Sequence, residues 1–310
     1  MAKTHTDSDK RIDQPTGTAF VGHEWDGIEE LNTPLPRWWL WTFYLTIIWS
    51  LAYVILYPAW PLIHGATEGV LGWTSRSQFA DEMVKADAKR APLVNALAAM
   101  PVEQLVADQK LYQGAVAGGA AAFKVHCVQC HGSGASGSKG YPNLNDDDWL
   151  WGGDIVAIEY TLRHGIRNPD HPETRASAMP AFEGILAPAE ISAVVSHVQS
   201  LSGKAKPNAQ GAQLFATNCA SCHGVDGKGL RQFGAPNLTD NIWLYGGDPA
   251  TITQTVRLSR QGVMPRWNDK LDRATIKMLA AYVHSLGGGE AAPPPVVAAK
   301  REANGANGQP

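Results

Sequence analysis

The pentapeptide Cys-x-x-Cys-His occurs twice in this chain, as CVQCH at residues 127–131 and CASCH at residues 219–223. All four cysteines of the sequence fall inside these copies, which leaves no thiol for a structural disulfide. Each copy occupies the same place in an internal repeat. Gly119 and Phe123 precede Cys127 with the spacing by which Gly211 and Phe215 precede Cys219, and steps of four put each set on one helix face. Pro-Asn-Leu follows at 142–144 and 236–238, then WLWGGD at 149–154 and WLYGGD at 243–248, then Met179-Pro180 and Met264-Pro265. Ile191, Val194, Val198 and Leu201 close the first unit, and Ile276, Leu279, Val283 and Leu286 close the second. Both series have helical periodicity. Two copies of one helical domain account for residues 108–203 and 204–288.

Cys-x-x-Cys-His is the attachment signature of c-type haem. Both thiols add to porphyrin vinyl groups, and the adjacent histidine reaches the iron. Cys127, Cys130, Cys219 and Cys222 are therefore the expected covalent anchors of two haems c, with His131 and His223 as proximal ligands. A thioredoxin-type redox pair would stand once, near a βαβ pattern that is missing here. A zinc site would need Cys and His at zinc-ligand spacings, where the repeat supplies a methionine. Met179 and Met264 are the expected sixth ligands, because a soft thioether favours ferrous iron and raises the potential of an electron carrier. The spacing leaves open which methionine serves which haem. His164 and His171 have no counterpart in the second unit and read as surface or packing residues. The Pro142 and Pro236 carbonyls are candidates to orient the proximal histidines. Arg163 and Arg257 hold equivalent places and are candidates for the haem propionates.

Residues 38–60 read WWLWTFYLTIIWSLAYVILYPAW, without a charged side chain. At 1.5 Å per residue the run reaches about 34 Å, enough to cross a bilayer's hydrocarbon core. Tryptophans crowd its start, Tyr57 and Trp60 its end, as residues at the headgroup boundary do. It begins too late and runs too long for an ordinary cleaved signal and reads as an uncleaved anchor. Residues 1–37 form a polar, turn-rich arm. Residues 61–107 form a connector with an expected helix from Glu82 to Met100, and residues 289–310 form a Gly/Pro/Ala-rich tail too poor in large apolar groups to fold. A formal net charge of −3 argues against a nucleic-acid partner.

Each repeat resembles the class I cytochrome c domain, with its G-x-x-x-F helix, Cys-x-x-Cys-His, PNL turn, Met-Pro loop and closing helix. The arm GHEWDGIEELNTPLPRWW at 22–39, the single anchor and the tandem haem domains together resemble the diheme subunit of cbb(3)-type cytochrome c oxidase, the CcoP or FixP family. The expected fold is mainly α, one N-terminal transmembrane helix followed by two tandem class I cytochrome c domains. The resemblance implies a non-catalytic, electron-transfer subunit of a terminal oxidase in the bacterial inner membrane. It would accept electrons from a donor cytochrome c and pass them, through a monohaem cytochrome c subunit, to a haem–copper catalytic subunit that reduces oxygen and pumps protons. It also implies a cytoplasmic N-terminus and periplasmic haem domains. The alternatives are the cytochrome subunit of a periplasmic dehydrogenase and a diheme peroxidase; a methionine for each iron argues against the latter. The denatured chain, extracted with acidic acetone, should keep its colour and weigh the bare polypeptide plus two haems. A colourless chain of bare mass would overturn the assignment.

Overall fold

A computed structural model describes residues 11–291; the first ten residues of the arm, and the expected tail from 292 on, lie outside the described residues. Two compact units meet between Asp87 and Ala88.

The first unit opens with a hairpin of β1 (Phe20–Trp25) and β2 (Ile28–Leu31), antiparallel with Trp25 opposite Ile28. Asp26 and Gly27 form its turn, both at positive φ (49° and 83°), the backbone that an Asp-Gly pair supplies at lowest cost. Helix α1 (Arg37–Leu56) begins after Pro36 and contains no buried side chain. It is long and apolar enough to cross a membrane. Its three aliphatic hydroxyls are satisfied within the helix: Thr42 donates to the Trp38 carbonyl (2.9 Å), Thr46 to Phe43 (2.7 Å) and Ser50 to Thr46 (2.8 Å). A helix surrounded by lipid requires that, having no water to solvate them. Past the helix end the chain doubles back. Val70 N–H donates to the Ile55 carbonyl and Leu71 N–H to Leu56, covering acceptors that the last turn leaves unpaired. Gly69 makes this return possible, since its φ is +75° and a Cβ there would collide with the Leu56 carbonyl. A short pair, β3 (Pro61–Leu62) and β4 (Gly65–Ala66), lies between.

Helix α2 (Ser75–Ala99) runs across the boundary into the second unit and contains the helix expected in the connector. Then come α3 (Val102–Leu105), α4 (Gln109–His126), α5 (Val128–His131), α6 (Ile155–His164), α7 (Pro188–Leu201), α8 (Ala209–Asn218), α9 (Ala220–His223), α10 (Pro249–Leu258) and α11 (Arg273–His284). The WLWGGD and WLYGGD elements start α6 and α10. Asp154 and Asp248 cap those helices, their carboxylates accepting from N–H groups of the first turn. Gly153 and Gly247 lie against the Trp149 and Trp243 rings, where a Cβ would overlap the indole.

The helices pair across the repeat. The last helix, α11, packs on α4 and α6 of the first half, whereas α7 packs on α8 and α10 of the second. One core joins Phe123, Cys127, Ile155 and Leu162 to Ile276, Leu279 and Val283; the other joins Ile191, Val194 and Val198 to Phe215, Leu238 and Val256. Each core therefore draws on both sequence blocks. The segments between the helices cross as well. Ile166 and Met264 exchange two backbone hydrogen bonds of 3.0 Å each, and Phe182 N–H donates to the Val256 carbonyl (3.1 Å).

Two glycines allow the close crossings. A Cβ on Gly119 of α4 would collide with the Met278 carbonyl of α11, and one on Gly211 of α8 with the Ala193 carbonyl of α7. Lys277, only 1% exposed, secures α11 on its other side. Its ammonium donates to the carbonyls of Leu97 (2.8 Å), Ala98 (3.3 Å) and Met100, at the C-terminal end of α2, where a cation also meets the favourable end of the helix dipole. Beyond α11, Glu290 folds back on the first half: its N–H donates to the Gly153 carbonyl (2.9 Å), and its carboxylate accepts from Gly153 N–H (2.9 Å) and pairs with Arg231.

Gly119→Ala and Gly211→Ala should each destabilise the chain by about 1–3 kcal/mol, the cost of overpacking a tight contact. Gly134→Ala, where a Cβ meets open space, should change little. Thermal unfolding of the three variants checks this, and equal midpoints would sink the close-crossing account.

Candidate haem sites

The two Cys-x-x-Cys-His segments fold alike. α4 ends at Cys127 and α8 at Cys219. One further turn follows, in which His131 N–H donates to the Cys127 carbonyl (2.9 Å) and His223 N–H to Cys219 (3.0 Å). Gly132 and Gly224, both at φ +78°, end the turn in a backbone that only glycine adopts without strain. Phe123 and Phe215, buried one helical turn upstream, face the histidine rings at centroid distances of 6.4 and 6.5 Å.

The expected orienting bonds are present. His131 Nδ1 lies 3.3 Å from the Pro142 carbonyl and His223 Nδ1 lies 3.2 Å from that of Pro236. A carbonyl can only accept, so each ring carries its proton on Nδ1 and keeps the Nε2 lone pair for a metal. Burial lowers the pKa of both rings and so favours this neutral, ligand-competent form. Burial, with the neighbouring Cys130 or Cys222, pushes Cys127 and Cys219 up to about 11.

The methionines fall in opposite cores. Met264, from the second half, packs against the core that contains Cys127 and Phe123. Met179, from the first half, packs with Cys219 against the core that contains Phe215. Ser259 Oγ donates to the Met179 carbonyl and holds its loop against α10.

Around the second motif is a cavity of about 660 Å³, into which Met179, Cys219, Cys222 and His223 all face, with Phe182, Val194 and Leu238 among its apolar walls. The donor set suits haem c: two thiols, one imidazole with a free Nε2 and one thioether on an apolar cavity. A buried polar atom adds to the fit. Trp243, on the cavity wall, has its indole Nε1–H buried without an acceptor, whereas the equivalent Trp149 donates to the Gly288 carbonyl (2.5 Å). A haem carboxylate is an acceptor of the kind that Trp243 lacks.

His164 and His171 are a packing pair, as expected. The rings stack at 5.0 Å, and His164 Nδ1 lies 2.7 Å from His171 Nε2. Arg266 lies 3.0 Å from His171 Nδ1 and can only donate, so the His171 proton is on Nε2 and is given to His164. Glu173 brings a third possible ligand atom to this pair. Arg266 nevertheless occupies the outer nitrogen that a metal-bound His171 would need as a donor.

Arg257, the arginine expected at this site, pairs instead with Glu183 at an exposed position and is not part of the cavity wall. Arg167 and Arg260, one from each half, stand there. Repeat equivalence hid them: Gln261 stands four residues past Arg257 where Arg167 stands four past Arg163.

Three family models match the chain: the N-terminal domain of cytochrome oxidase-cbb3, FixP, over residues 17–64; cytochrome c over 116–202; and cytochrome c oxidase, cbb3-type, subunit III over 206–283. A cbb3-type cytochrome c oxidase subunit CcoP of Cereibacter sphaeroides is 54% identical over 282 residues, covering 89% of this chain and 97% of that protein. A cbb3-type subunit FixP of Azorhizobium caulinodans is 50% identical over 94% of this chain and all of that protein, and one of Rhizobium meliloti is 50% identical over 92% and 99%. The chain belongs to the CcoP/FixP family, the diheme, electron-transferring cytochrome c subunit of cbb3-type cytochrome c oxidase.

Proposed function

We propose that the two haems of this subunit are ligated crosswise, by His131 with Met264 and by His223 with Met179, and that the chain relays single electrons without itself reducing oxygen. When bound, each haem supplies reversible one-electron chemistry; the protein supplies ligands, burial and orientation. The observation that carries the reading is the packing of each methionine against the core of the other half's Cys-x-x-Cys-His. With thiols and imidazole from one half and thioether from the other, neither iron would keep an open position, and a peroxidase requires one. Electrons from a donor cytochrome c would pass by way of these haems and a monohaem subunit to the haem–copper subunit.

The same reading sets the anchor α1 in the bacterial inner membrane with the arm in the cytoplasm and the haem cores in the periplasm, the compartment in which c-type haem is attached. Protease added to intact spheroplasts should remove the haem-staining cores; survival of both would reverse the orientation.

The crossed ligation has its own test. In a Cys219→Ala, Cys222→Ala background that retains only the first haem, Met264→Ala should lower the reduction equilibrium constant more than tenfold, equivalent to about 59 mV per tenfold for one electron. Met179→Ala should leave that haem unchanged. The reverse pattern in a redox titration would mean that each methionine serves its own repeat.

A further inference from the structure

Arg167 stands three residues past the end of α6 in the left-handed region, at φ 52°. A non-glycine residue there costs on the order of 1–3 kcal/mol and persists where its surroundings over-determine it. The surroundings do so here: its N–H donates to the Arg175 carbonyl (2.8 Å), its Nε to Gly262 (2.7 Å) and one terminal nitrogen to Ser177 (3.1 Å). The guanidinium is half-buried, and among the described residues no carboxylate lies within ion-pairing distance of it. A half-buried cation without a counter-charge is costly to keep. It lines the cavity around Met179 and His223, although it belongs to the other half of the chain. Arg260, the other arginine of that wall, is already committed: it stacks on Tyr245 at 4.7 Å and donates to the Thr251 carbonyl (2.7 Å), Thr255 and Gln254.

We propose that Arg167 is the anion-recognising residue of the second haem pocket, pairing with a propionate carboxylate of the haem on Cys219 and Cys222 and raising its reduction potential. The inference rests on the ligation reading above for the identity of that haem's iron ligands. Charge gives the sign. Ferric haem carries one positive charge more than ferrous haem, so a nearby guanidinium disfavours the ferric form. Pairing also keeps the propionate from stabilising it. The same two-residue ladder serves both sites: Ile166 holds Met264 toward the first, and Arg167, its neighbour, reaches the second. Arg167 is thus a positioning and tuning residue of one haem, placed by the segment that delivers the ligand of the other.

The test uses the detergent-purified oxidase complex carrying Arg167→Gln, Arg167→Lys or Arg167→Gly. Glycine suits the left-handed backbone, so Arg167→Gly removes the charge while relieving the strain. For the second haem alone, the Gln and Gly variants should lower the reduction equilibrium constant about tenfold, or about 59 mV. The loss should shrink as pH falls, because the unpaired propionate then protonates. Arg167→Lys should retain most of the native value. Lys139, Asp146, Asp148, Tyr245 and Arg260 face the same cavity. Burial, with Asp240, Asp146 and Asp147, pushes Asp148 up to about 6. Native potentials in the Gln and Gly variants would overturn the proposal. So would equal, pH-independent shifts of both haems, which indicate general loosening. Met179→Ala titrated alongside separates the two readings: if it leaves the second haem unchanged while Arg167→Gly lowers it, the ligation fails and the arginine's role stands.

Discussion

The second unit depends on two helix crossings, α4 with α11 and α8 with α7, each closed to backbone contact at a glycine. At Gly119 and Gly211 the partner's carbonyl oxygen occupies the space a side chain would need. That approach brings Phe123 and Phe215 into apolar cores and sets the following turns, with their cysteines and histidine, at the core edge. Because each crossing joins the start of one half to the close of the other, everything the closing segments carry is exchanged, the methionines included. Burial supplies most of the stabilisation, at roughly 25 cal/mol per Å² of apolar surface. The glycines decide which surfaces can meet.

Lys277 belongs to the same scheme. α11 must satisfy the first core on one face, yet it also carries a cation among carbonyls at the end of α2. Those acceptors are orphaned by the helix geometry, and an ammonium with three donors meets them at once. The last described helix therefore holds the C-terminal end of α2 in place.

Much of this was legible beforehand. The haem motifs, the G-x-x-x-F helices, the closing periodicity and the apolar anchor all follow from spacing, and the proline carbonyls behind the histidines were expected from the PNL position. The exchange was not legible, for a physical reason: Ile191–Leu201 and Ile276–Leu286 have the same apolar pattern, so either helix suits either core, and the choice lies in the path of the chain after α6 and α10. Trp149 and Trp243 read as crevice packing from the sequence, but the capping role of Asp154 and Asp248 was missed although its signal was present, an aspartate placed before a helix and behind glycines that admit an indole. The β1–β2 hairpin carried only its Asp26-Gly27 turn as a signal, without the strict alternation that marks a strand. Arg167 was overlooked because a search by repeat equivalence discards a residue that only one copy has.

The crossed closure bears on how such a chain is made. Synthesis runs from the N-terminus, so residues 127–131 are made well before α11 and the Met264 loop. Until those late segments arrive, the core beside the first motif lacks Ile276, Leu279, Val283 and Met264. Truncation anywhere before residue 264 would deprive the first motif of its completing helix, so neither half is a self-sufficient product of translation. A first motif made before the segments that close its core is built into the order of the polypeptide.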